Sequence, residues 1–150
     1  MKRGGGWLIA GGLSSAAASL AHLACIAFGP AWFRFFGAPE QAVVAYENGA
    51  MGLVWMTVGI AVILAIWGAY AFSGAGAIRR LPLLRTGLIV ISAIYCLRGA
   101  ILIPALVRAP YPNSTFDIVS SAIVLAIGFC YAIGTWLACP SLKPARFAPA

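Results

Sequence analysis

The sequence predicts an all-α membrane protein, a four-helix transmembrane bundle with both termini in the cytoplasm. Three observations lead there: an apolar excess too large for a small soluble domain, four nearly uncharged runs of membrane length, and basic residues gathered on one side of those runs. Of 150 residues, 63% are hydrophobic and only 9% charged, and mean hydropathy is +0.97. A soluble domain is about 45–50% apolar and about 25% charged. At this chain length surface-to-volume scaling would leave much of the apolar excess in water, so lipid is the solvent that suits it.

A spanning helix needs about 20 mostly apolar residues, each rising about 1.5 Å. Four runs qualify, at residues 7–28, 50–72, 86–107 and 116–137, and they fill a single domain covering 1–150. Helices are required because every backbone N–H and C=O in lipid must find an internal partner. A barrel would show alternating strands of about ten residues.

The first run follows "MKRGGG". A basic start and small residues give it some likeness to a secretory leader, but the apolar stretch continues through "HLACIAF", so it is expected to remain as an uncleaved span. The connection "GPAWFRFFGAPEQAVVAYENG" is aromatic at its start and suits the headgroup region. Pro39 is placed to open a short helix there and Asn48-Gly49 to end it. "SGAGAIRRLPLLR", between the second and third runs, is a turn rich in glycine and arginine. "RAPYPNST" is a tight turn set by its two prolines. Small or polar stripes then suggest inward faces: Gly11, Ser15, Ser19 and His22 in the first run, Gly52, Met56 and Gly59 in the second, and Asp117, Ser121, Gly128, Tyr131 and Thr135 in the fourth.

Basic residues orient the bundle. Lys2, Arg3, Arg79, Arg80, Arg85, Lys143 and Arg146 fall on one side, seven in all, against Arg34 and Arg108 on the other. The positive-inside rule puts the seven in the cytoplasm. All three acids, Glu40, Glu47 and Asp117, fall on or near the outer side. The net charge of +7 is thus a matter of topology and anionic headgroups. No basic stripe interleaved with aromatics in a polar segment points to nucleic acid.

The tenth basic residue, Arg98, stands inside the third run. A charge near the bilayer centre costs about 2.5–3.5 kcal/mol on insertion scales. Arg98 would lie roughly 13 Å below the outer end of its span. Its side chain leans toward the helix N-terminus, away from the nearer surface, so an internal partner is expected. Glu47 is the first choice and Asp117 the second. His22, roughly 9 Å below the outer end of the first span, and Tyr95 are expected as neutral hydrogen-bonding neighbours. Together Arg98, Glu47, Asp117, His22 and Tyr95 would line a polar pocket in the outer half. The competing reading is an ion pair that only fixes helix register.

The other chemistry-bearing residues point to no catalyst. Cys25, Cys96, Cys130 and Cys139 are far apart, without the spacing of a disulfide or metal framework. One histidine cannot supply paired haem ligation, and no metal or other cofactor is expected. The serines lack a base and an acid arranged for nucleophilic work, and phosphate-binding glycine loops are missing. These absences argue against an enzyme.

Three motifs, "RFFGAPE", "SGAGAIRRLPLLR" and "IYCLRG", spread over residues 34–99, resemble a group of uncharacterised four-helix inner-membrane proteins of proteobacteria. The glutamate and following glycines of "YENGAMGLVWMTVGI" are similar to the DoxX-like superfamily. That resemblance implies four helices and, for some members, a link to quinone or thiol redox, but carries no catalytic residue to this chain. The expected role is that of a non-enzymatic inner-membrane protein, either an accessory subunit or a binder of a small lipophilic or anionic ligand, such as a lipid or quinone. The alternatives are a homo-oligomeric transport or channel protein and a DoxX-like redox partner.

Overall fold

The computed structural model describes residues 3–100 and 115–142, and all of its regular elements are helical. Helix α1 spans Gly5–Phe28, α2 Pro30–Phe35, α3 Glu40–Glu47, α4 Gly52–Ala75, α5 Leu84–Ala100 and α6 Thr115–Leu142. Three stretches are long and apolar enough to cross a membrane: α1, α4, and Phe116–Pro140 of α6. At about 1.5 Å per residue, the 24 residues of α1 and of α4 each reach about 36 Å, beyond a hydrocarbon core about 30 Å thick. Helix α5 has 17 residues. The rest of the expected third span, residues 101–107, lies outside the described residues, as do Lys2, Arg108, most of the "RAPYPNST" turn, Lys143 and Arg146.

Glycines set the close approaches. A Cβ on Gly68 of α4 would lie 3.2 Å from the carbonyl oxygen of Gly12, so α1 and α4 pack backbone to backbone. Between α5 and α6 a Cβ on Gly99 would stand 2.6 Å from Leu125 Cα, and one on Gly128 2.9 Å from the amide nitrogen of Cys96. Such small residues let helices gain van der Waals contact where lipid offers no hydrophobic reason to associate. Leu8, Leu88, Ile91, Tyr95, Ile127 and Tyr131 fill the core where the four long helices meet.

The expected inward stripe on the second span is corrected. Gly52, Met56 and Gly59 face outward, with nothing near a Cβ on either glycine. The packed face of α4 is instead Leu53, Thr57, Ala61, Leu64, Gly68 and Ala71. Because α4 is apolar all round, glycine spacing alone does not mark its interior face.

At the end bearing Arg3, the start of α1 lies against Ala75 of α4 and Gly134 and Ala138 of α6. The connection from α4 to α5 belongs here too: the Ser73 hydroxyl donates to the Arg79 carbonyl at 3.0 Å and accepts from the Leu81 amide at 3.0 Å. Exposed Arg3, Arg79, Arg80 and Arg85 therefore share one end.

Helices α2 and α3 cap the opposite end. Gly37 (φ 74°) and Gly49 (φ 90°) adopt the left-handed conformation that ends α2 and α3. In each case the next residue's amide reaches back five residues, Ala38 to Phe33 at 2.9 Å and Ala50 to Ala45 at 2.9 Å, closing the helix as in a Schellman motif. Val43 and Phe33 pack beneath the cap on Cys25 and Leu53. Phe36 meets Phe116 edge-on at 6.2 Å, while Phe28 and Trp32 stack at 4.4 Å and stay exposed.

Candidate functional site

Of the five residues expected to form one outer pocket, Glu47, Arg98 and Tyr95 fall in three separate arrangements. The first is the cap. Arg34 lies in the last turn of α2, Glu40 begins α3 after Pro39, and Glu47 closes α3. The Nε and Nη2 edge of Arg34 grips Glu40 at 2.9–3.2 Å. Its Nη1 and Nη2 edge grips Glu47 at 2.9 and 3.0 Å. A guanidinium has two flat donor edges, and here each meets a carboxylate. Hydrogen bonds from Arg34 hold the Glu47 carboxyl below its ordinary value of 4.5, and the two carboxylates raise Arg34 still further above its usual range.

The Arg98–Glu47 pair expected from the sequence is therefore corrected. Both oxygens of Glu47 are occupied by Arg34, because α3 ends at Glu47 and the chain turns at Gly49 before α4 begins. Glu47 rides on the cap, not inside the second span, and Arg34 is close to it in sequence.

Arg98 forms the second arrangement. It is exposed on α5, next to the Gly99 crossing, and its Nη1 donates to Ser121 Oγ of α6 at 3.3 Å. Among the described residues its partner is a neutral hydroxyl. Asp117 stands exposed in the first turn of α6, where the helix dipole favours a negative charge. Its backbone carbonyl accepts from Ser120 Oγ at 3.2 Å. His22 is half-buried and turns inward on its own helix, Nδ1 donating to the Ala18 carbonyl at 2.8 Å.

Tyr95 belongs to the third arrangement, which lies at the centre of the molecule. Ser15 Oγ is 2.8 Å from Tyr95 Oη and 2.9 Å from Tyr131 Oη. Tyr131 Oη donates to the Trp67 carbonyl at 3.0 Å. With that proton assigned, Tyr131 accepts from Ser15, and Ser15 accepts from Tyr95. One directed chain thus runs from Tyr95 through Ser15 and Tyr131 to Trp67, using every hydroxyl proton once and joining α5, α1, α6 and α4. Trp67 also meets the Tyr95 ring edge-on at 4.9 Å. A fully satisfied buried network of this kind fixes helix register. Ser15 and Tyr131 stood in the expected stripes, but no spacing rule says that their hydroxyls meet across helices.

All four cysteines are free thiols, and among the described residues no three of His, Cys, Asp and Glu gather in reach of one metal ion. No protein-family model matches the chain, and no curated protein or solved structure matches it either.

Proposed function

We propose that the protein is a non-enzymatic, four-span protein of the bacterial inner membrane that binds a small anionic lipophile at Arg98, as an accessory component of the membrane. The topology has both termini in the cytoplasm. Exposed Arg3, Arg79, Arg80 and Arg85 gathered at one end, with Glu40 and Glu47 at the other, support that orientation through the positive-inside rule. In this frame Arg98 lies about 21 Å along α5 from Leu84, in the outer half of a core about 30 Å thick.

The observation that carries the reading is the partner of Arg98. Its guanidinium faces outward and donates to the Ser121 hydroxyl, while Arg34 holds both Glu40 and Glu47. A cation at membrane depth that meets only a neutral group among the described residues attracts an anion from outside the chain. Its flat donors suit a carboxylate, a quinone oxygen or a lipid phosphate, and an apolar tail would lie along the surrounding lipid-facing helices.

Extraction of the full chain in native nanodiscs, followed by identification of retained small molecules, tests this. Wild type is expected to keep an anionic or quinone-like lipophile that Arg98→Gln loses with its melting profile intact. Equal retention by the two proteins would sink the reading, and ion flux through reconstituted liposomes would favour a transport protein instead.

A further inference from the structure

A second site stands at the opposite end of α5. There α5 and α6 part to leave an open groove of about 650 Å³, within the roughly 300–1,000 Å³ usual for small-ligand sites. Arg85 stands at its charged end, Ile89, Ala132 and Trp136 form apolar walls, and Ser92 and Thr135 supply two hydroxyls. The hydroxyls differ. Ser92 donates to the Leu88 carbonyl at 2.7 Å, whereas Thr135, only 6% exposed, has a buried Oγ1 with no hydrogen-bond partner among the described residues. Buried hydroxyls rarely stay unpaired, and a helical threonine retains two χ1 rotamers, so this one can turn toward an acceptor in the groove.

We propose that the groove seats one anionic phospholipid of the surrounding bilayer. Its phosphate lies on Arg85, an acyl chain runs along Ile89, Ala132 and Trp136, and an ester oxygen accepts from Thr135 Oγ1. Charge complementarity selects this occupant. Arg85 is exposed and has no ion-pair partner among the described residues. Exposed Arg79 and Arg80 belong to the adjoining connection, where anionic headgroups accumulate. A free anion would leave the apolar walls unused: Trp136 is 82% and Ile89 50% exposed. The site shares no residue with the Arg98 arrangement and does not depend on it.

Native mass spectrometry of the full chain in mild detergent, titrated with dioleoyl phosphatidylglycerol, dioleoyl phosphatidylcholine and inorganic phosphate, tests the proposal. One phosphatidylglycerol is expected to bind more tightly than phosphatidylcholine. Arg85→Gln should weaken it about tenfold, the scale of one lost charge-assisted contact. Thr135→Val should weaken it about threefold without loss of fold, since no internal bond is removed. Ile89→Trp, which fills the groove and leaves the charge in place, should block binding while the protein still elutes as a folded species. Equal binding of the two lipids, undiminished phosphatidylglycerol affinity in Arg85→Gln, or displacement of the lipid by inorganic phosphate overturns the proposal. So does loss of the lipid in Arg98→Gln alone, which would move it to the other arginine.

Discussion

Arg34 and Arg98 share a side chain and differ in nearly everything around it. Arg34 sits on the cap between two carboxylates, in a trio that stays largely exposed, with Glu40 at 63%. Arg98 sits at the α5–α6 crossing and meets a serine. The difference is one of desolvation. Glu40 and Glu47 reach Arg34 without leaving the surface, whereas in the proposed four-span topology taking either to Arg98 would move a carboxylate beside lipid, and the mutual attraction repays that only in favourable geometry. Acids placed near Arg34 in the chain are captured there, and among the described residues Arg98 is left to a neutral partner. The two regions also differ in what holds them: a small apolar cluster under exposed ion pairs for the cap, backbone contact and a buried hydroxyl chain for the long helices.

The largest effect should come from forcing the crossing apart. Gly99→Ala puts a Cβ 2.6 Å from Leu125 Cα, overpacking that costs about 1–3 kcal/mol, while Gly59→Ala, with open space around it, should cost nothing measurable. Thermal melts of both variants in the same lipid check the contrast. Ser15→Ala comes next. It cuts the hydroxyl chain between Tyr95 and Tyr131, and leaving buried hydroxyls short of a partner costs about 1–3 kcal/mol. Denaturant titration should show the loss, and hydrogen exchange should show it shared by α1, α5 and α6.

The cap should respond without the long helices. Arg34→Gln should speed amide exchange in α3 and leave the melting of α1, α4, α5 and α6 unchanged, since exposed ion pairs contribute little to global stability. Equal destabilisation of both regions would break the distinction. A milder version uses pH. The Glu47 carboxyl is held below its ordinary 4.5 by Arg34, so its contribution to α3 is complete above 4.5 and is lost as pH falls through the lower folded value. Exchange in α3 measured from neutral pH to below 4.5 should rise only in the acid range, and Glu47→Gln should flatten that rise.

Spanning stretches were legible in the sequence because length and uncharged composition are what a bilayer selects. Residues 7–28 and 116–137 fall inside α1 and α6, and 50–72 overlaps α4 but for its first two residues. The bounds of α3 were legible too, since proline and Asn-Gly act through local backbone geometry. The partner of Arg98 was not, because it turned on the depth of Glu47, and depth depends on where the chain turns at Gly49. The Tyr95–Ser15–Tyr131 chain was hidden for another reason. Its members lie 80 and 116 residues apart, and only the glycine-set spacing of the helices brings them together.

Solid-state NMR of the protein in phosphatidylglycerol bilayers, reading dipolar coupling from the Arg98 guanidinium nitrogens, addresses the central claim most directly. An anion outside the chain predicts coupling to lipid phosphorus, and none to carboxyl carbons of labelled glutamate or aspartate. Coupling to Glu47 or Asp117, with no phosphorus in range, would contradict it.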